Sequence, residues 1–213
     1  MRTNILDVAA EVAQRWPTRG FLVPANTGTT AREVHARFGP GFEYVALGNP
    51  TQSHEKGFVY HSGMAGATRA ELEALGYRVV LQEVSAFQPA KDSPVFHEHA
   101  AAMEESYAEA AGERVEVTGT TLSWVVERTI QALHGEQVKT CVELALMAGA
   151  LPDLERDAPY LAFCTPSRWS DARDCVVALT VSSPAEFFQS PPSIFEIAYS
   201  APPAGPQDTS ESS

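Results

Sequence analysis

Apolar positions along the first third of the chain alternate between two rhythms. Ile5, Val8, Ala9 and Val12 share one face of a helix drawn from Asn4 to Arg15, and Pro17 and Gly20 end it. The run Phe21-Leu22-Val23 reads as a buried strand, and a helical stretch follows to about Phe38. Tyr44-Val45-Ala46-Leu47 reads as the next strand, and Gly48 to Gly66 as a long polar loop holding His54, Lys56 and His61. A helix over Thr68 to Leu75 closed by Gly76, then a strand over Tyr77 to Glu83, complete a strand–helix–strand–helix–strand rhythm. That rhythm predicts an α/β fold with a mostly parallel sheet covered by helices.

The second half is less regular. Helical patterns cover Phe96 to Ala111, Thr121 to His134 and Val138 to Ala150, with a short strand at Val115-Glu116-Val117. Tyr160 to Phe163 and Cys175 to Val181 read as two strands around the loop Thr165 to Asp174. The Pro- and Ser-rich residues Ala201 to Ser213 lack core-forming side chains and read as a disordered tail.

The most specific local signal is strand, then Ala25-Asn26-Thr27-Gly28-Thr29-Thr30-Ala31, then helix. Gly28 permits a tight turn and close approach of a ligand, and the helix start presents unpaired N–H groups and a positive dipole end. The Asn26 amide and the Thr27, Thr29 and Thr30 hydroxyls add polar atoms, so the loop can hold a phosphate without a basic side chain. A plainer reading makes Thr30-Ala31-Arg32-Glu33 a capping box, with Thr30 as the N-cap and Glu33 reaching back. That reading leaves Asn26, Thr27 and Thr29 without a role.

Composition narrows the partners. The 213 residues carry 15 Lys and Arg against 27 Asp and Glu, a formal charge of −12. With three lysines, Lys56, Lys91 and Lys139, the chain has no basic patch for a nucleic-acid backbone. No segment approaches the ~18 consecutive apolar residues of a membrane span. The first residues show no apolar leader ending in a cleavage site, so the chain reads as cytoplasmic, with no membrane partner. Three cysteines (Cys141, Cys164 and Cys175) in apolar surroundings and without a CxxC spacing read as buried free thiols.

The segment Phe21 to Ala31 resembles the opening of proteins that share the fold of the pyruvate kinase C-terminal domain. It is most similar to a group of small, stand-alone, largely uncharacterised archaeal and bacterial proteins. The resemblance continues in Gly135-Glu136-Gln137-Val138-Lys139-Thr140-Cys141-Val142-Glu143-Leu144-Ala145, from Ala162 to Val177, and from Phe187-Phe188 through Ile197. It implies a three-layer α/β/α sandwich filling residues 1–200, with 201–213 as the tail. In pyruvate kinase the matching Thr/Ser-Gly loop grips a phosphate of the allosteric sugar bisphosphate. In the stand-alone group the resemblance implies flavin mononucleotide (FMN) as the ligand, its phosphate on the same loop. Pyruvate kinase activity is not carried over, because that chemistry resides in a (β/α)8 barrel for which 213 residues already filled leave no room. Two regions depart from the family: Thr165-Pro166-Ser167-Arg168-Trp169-Ser170-Asp171-Ala172-Arg173-Asp174 stands where it has a Gly-rich loop, and Ser85 to Gly119 is longer or more divergent.

Other candidates group around the same sheet edge. Arg168 can pair with phosphate and Trp169 can stack on a flavin ring, with Thr165 and Ser167 beside them. Asn49 and Thr51, in the loop Asn49 to Phe58, can hydrogen-bond the rest of the ligand, with Lys56 supplying charge. His97-Glu98-His99 cannot chelate one ion on a helix, where residues two apart face different ways, and no metal site is expected. Thr118-Gly119-Thr120-Thr121 repeats the Thr27 to Thr30 tetrapeptide but reads as a helix start. The sequence names no acid, base or nucleophile. Two classes stay open: a flavin-dependent oxidoreductase, and a sugar-phosphate or nucleotide sensing module without catalysis. A homo-oligomer is compatible with either.

Overall fold

The computed structural model describes residues 4–48, 53–55, 58–60, 64–81, 126, 129–164, 174–184, 186–187 and 189–200. Helix α1 (Ile5–Arg15) starts where Asn4 accepts a hydrogen bond from the Leu6 N–H through its side chain, at 3.1 Å, and buries Ile5, Leu6, Ala9 and Val12. Strand β1 (Gly20–Pro24), helix α2 (Thr29–Phe38) and strand β2 (Glu43–Gly48) follow. Inside the stretch whose composition predicts a polar loop, β3 (Ser53–Glu55) and β4 (Phe58–Tyr60) pair antiparallel as a small hairpin. Helix α3 (Gly66–Ala74) and strand β5 (Tyr77–Leu81) complete the first half.

Residues 129–134 are helical, and helix α4 (Glu136–Ala148) follows directly. Strands β6 (Tyr160–Cys164) and β7 (Cys175–Leu179) match expectation, whereas β8 (Ile194–Tyr199) is a strand that the hydrophobic pattern does not announce. The expectations for Phe96 to Ala111, Val115 to Val117, most of Thr121 to Arg128 and the tail lie outside the described residues.

The fold is α/β around a mixed six-stranded sheet in the order β5-β2-β1-β6-β7-β8. Parallel pairing joins β5, β2, β1 and β6, and both β6–β7 and β7–β8 pair antiparallel. The expected parallel arrangement thus extends through β6 and stops there. β7 returns directly from β6 as an antiparallel neighbour, without the crossover that a parallel pairing needs.

Strand alternation divides the interior in two. Phe21, Val23, Tyr44 and Ala46 pack with Val12 of α1, Ala31 and Val34 of α2 and Leu72 of α3. Leu22, Val45 and Leu47 pack with Val138, Cys141, Val142 and Ala145 of α4. All three cysteines are free and buried. Cys164 and Cys175 face each other across β6 and β7, and the Cys141 thiol donates to the Ala162 carbonyl at 3.4 Å.

One proline sets the shape of the sheet edge. β1 is in register with β2 from Gly20↔Glu43 to Pro24↔Leu47, but with β6 only from Gly20↔Tyr160 to Leu22↔Ala162. The Ala25 N–H donates to the Leu47 carbonyl of β2 at 2.8 Å. Because backbone groups alternate sides along a strand, the nitrogen of Pro24 faces β6, where it has no hydrogen to donate. The register pairs between β1 and β6 therefore stop at Leu22↔Ala162, while the pairing of β1 with β2 runs on to Pro24.

Candidate functional site

The loop Ala25 to Thr30 leaves β1 at this carboxyl end of the sheet. The Gly28 N–H donates back to the Ala25 carbonyl at 3.1 Å, closing a turn, and the Arg32 N–H to the Gly28 carbonyl at 3.0 Å begins α2. Gly28 is the N-cap, with φ +74° in the left-handed region, and no side chain caps the helix. The capping-box expectation is thus corrected: α2 starts two residues earlier than that pattern requires, and Thr30 lies inside the first turn rather than at the cap. Gly28 has no side chain with which to cap, so the first-turn N–H groups receive no hydrogen bond from the N-cap residue.

The surroundings of Gly28 are tight. A Cβ there would lie 2.8 Å from the Thr68 methyl and 3.2 Å from Arg32 Nη2. Thr68 belongs to the first turn of α3, whose N-cap position is Ala65 and which also lacks a side-chain cap. Two helix starts therefore meet at this loop. Thr27 and Thr29 are exposed, with the Thr27 hydroxyl donating to that of Thr29 at 3.4 Å, and Asn26 and Thr30 are half-buried. The Asn26 side-chain oxygen lies 2.7 Å from where a Cβ on Gly48 would stand, so the end of β2 passes directly beneath it.

The position in the sheet is informative. From β1 the strand order runs to β2 and β5 on one side and to β6, β7 and β8 on the other. Helix α2 shares the interior cluster of Phe21 and Val23, whereas α4, which leads toward β6, shares that of Leu22. The β1–β6 boundary is thus a point where the chain's winding reverses, and open α/β sheets bind ligands in the crevice at the carboxyl ends of such strands.

The structure brings Asn26, Thr27, Gly28, Thr29 and Thr30 together in this one loop. Asn49 and Thr51 follow β2, and Thr165, Ser167, Arg168 and Trp169 follow β6. All six lie outside the described residues, as do Lys56, His97 to His99 and Thr118 to Thr121. Among the described residues no three His, Cys, Asp or Glu side chains are grouped to hold a metal ion, and no helix is long and apolar enough to cross a membrane.

Sequence reasoning passed over three residues of the site: Gly48, Thr68 and Arg32. Arg32 donates through Nε and Nη2 to the two carboxylate oxygens of Glu71, at 2.7 and 3.1 Å, and its Nη1 reaches the Thr27 carbonyl at 3.4 Å. That fork holds the Glu71 carboxyl below its ordinary pKa, the Arg32 hydrogen bond being the largest cause. A visible signal existed in the spacing, since a residue four beyond a helix N-cap returns to the same side of the helix.

A separate groove of about 440 Å³ lies at the opposite edge of the sheet, lined among others by Arg156, Thr180, Ser182, Glu186 and Phe195. Within it Arg156 pairs with Glu186, and the Ser193 N–H donates to the Thr180 hydroxyl at 2.8 Å. Compared with known families and curated proteins, the sequence matches no family model and no curated protein.

Proposed function

We propose that this protein binds a phosphate-bearing small molecule, FMN foremost, with the phosphate on the loop Asn26 to Thr30. The observation that carries the reading is an uncapped helix start, turned by left-handed Gly28, at the winding reversal between β1 and β6. Such a loop needs no lysine, which reconciles an anionic ligand with a chain of charge −12. A three-layer α/β/α arrangement like that of the pyruvate kinase C-terminal domain belongs to the same proposal.

The donor set fits a phosphate: helix-end N–H groups, the Thr27 and Thr29 hydroxyls on the exposed side, and a glycine over which a Cβ would crowd. Asn26 to Thr30 would hold that group, and Asn49, Thr51, Thr165, Ser167, Arg168 and Trp169 would meet the remainder of the ligand. A bound flavin would supply redox chemistry that the side chains alone do not.

Absorption spectroscopy of the purified protein and fluorescence titration with FMN test the reading. Wild type is expected to quench flavin fluorescence saturably. Thr29→Val should weaken binding about fivefold, and Gly28→Val should abolish it while the circular dichroism spectrum is retained. Equal affinity of Gly28→Val and wild type overturns the proposal. A colourless protein that ignores FMN but is thermally stabilised by sugar phosphates identifies the sensing module instead.

A further inference from the structure

β8 stands last in the strand order and pairs with β7 alone among the described strands. The Ser200 N–H donates to the Asp174 carbonyl, just before β7, at 2.9 Å. Because backbone groups alternate sides along a strand, Ala198 and Glu196 also turn theirs toward β7, and Ile197 and Tyr199 turn theirs outward. Those outward groups meet no partner among the described residues. Open edges are ordinarily blunted by charged side chains, proline or bulges. Ile194–Tyr199 holds no Lys, Arg or Pro, and its one irregularity, at Ala178/Leu179, leaves residues 196–199 in regular register with 175–178. The single charge of the strand, Glu196, is taken by Arg15 and Trp16 of the same copy. Of the five large apolar side chains exposed among the described residues, three stand on β8. A fourth, Leu133, 71% exposed, adjoins His134, whose carbonyl accepts from the Tyr199 hydroxyl at 3.1 Å.

We propose that β8 is an interface between two copies of this chain, paired antiparallel about a two-fold axis at Ala198 so that the two sheets become one. Two observations select a second copy as the occupant. The first is self-complementarity. Ile197 packs on the cluster beneath α4 and Tyr199 bonds to His134 just before α4, so both side chains lie on the same face of the sheet. An antiparallel pair about Ala198 sets Ile197 of each copy opposite Tyr199 of the other. Each outward N–H then meets an outward carbonyl, and each aromatic ring meets a β-branched side chain. The second is charge. Two chains of −12 repel each other over most of their surfaces, whereas β8 offers a strip whose only carboxylate is neutralised within its own copy. A contact made by one strand from each copy is small, so the association is reversible rather than obligate.

Sedimentation velocity of the full chain, from low to high micromolar concentration, is read together with amide hydrogen exchange by NMR. Wild type should pass from the mass of one chain to that of two. Over the same range the Ile197 and Tyr199 amides should slow in exchange about tenfold or more, with Ala198, turned to β7, as the internal reference. Leu133→Glu, at an exposed position, should raise the dissociation constant about tenfold or more by bringing carboxylates of the two copies together. Tyr199→Pro, which removes an outward N–H and leaves the β7 ladder its donors, should raise it by a similar factor. If Tyr199→Pro loses its circular dichroism spectrum, Leu133→Glu and the exchange rates decide. A chain that keeps its single mass at every concentration overturns the proposal. So does a dimer whose Ile197 and Tyr199 amides exchange at their dilute rates, or one that Leu133→Glu leaves as tight as wild type, because the contact then lies elsewhere.

Discussion

A methyl group built on Gly48 would sit 2.7 Å from the Asn26 side-chain oxygen and 3.3 Å from the terminal methyl of buried Met64. No ordinary Cβ contact is that short, so Gly48→Ala must push Asn26 out of its place over β2. We expect a stability loss of about 1–3 kcal/mol, read as a shift in the urea midpoint, and weaker binding at the loop. An unchanged midpoint would mean that Asn26 is not held there. Residue by residue, the candidate site is legible where its signal is local. Strand, Thr-Gly and helix are consecutive in the chain, and Asn26 to Thr30 could be named from them. Arg32 and Glu71 are separated by 39 positions, and Gly48 matters only because β2 lies beside β1, so neither stands out before the strands are arranged.

At the scale of elements, α1 and β8 are fastened by one carboxylate. Glu196 accepts from Arg15 Nε and Nη2 at 3.0 and 2.5 Å and from Trp16 Nε1 at 2.9 Å, and the Trp16 ring stacks on Phe195 with centroids 4.9 Å apart. The Arg15 hydrogen bond is the main reason the Glu196 carboxyl is held below its ordinary pKa. A lowered carboxyl stabilises the folded chain above the pKa it has when unfolded, and that contribution disappears as pH falls through the folded value. Glu196→Gln should therefore lower the melting temperature by a few degrees at pH 7 and make no difference near pH 2. A difference that persists at pH 2 would show that packing, not charge, is responsible.

The same strand shows why part of the fold escaped the sequence. Ile194, Phe195 and Tyr199 are all exposed although they point to alternate sides, because β8 ends the sheet among the described strands. An edge half-covered on both faces has no clean alternation to read. β1, β2, β6 and β7, buried along nearly their whole length, announce themselves as apolar runs. The hairpin β3–β4 is three residues a side, too short for periodicity to register.

For the molecule as a whole, the sheet separates two interiors, and the thiols belong to one of them. Cys141, Cys164 and Cys175 all lie in the cluster covered by α4. Burial pushes the Cys141 thiol well above its ordinary pKa and that of Cys164 up to about 12. Because the thiolate is the reactive species, the folded protein should resist iodoacetamide at pH 8 and take up three labels only in denaturant, as read by intact mass. Fast labelling of the folded chain would contradict the burial described. The charge of −12 acts at this scale too. It discourages polyanions, whose many phosphates would each meet a repelling surface, and leaves a single phosphate to be decided by local donors.

Pro24 gives the sheet a direction of opening. β1 is fastened to β2 along five register pairs and to β6 along three, all of the latter toward the amino ends of both strands. Among the described residues, the register pairs that join β1 to β6 therefore lie at the amino ends, and Val23, Pro24, Phe163 and Cys164 carry none. On the phosphate-loop reading, a ligand at the carboxyl ends would meet a stretch of β1 whose register pairing is with β2 alone.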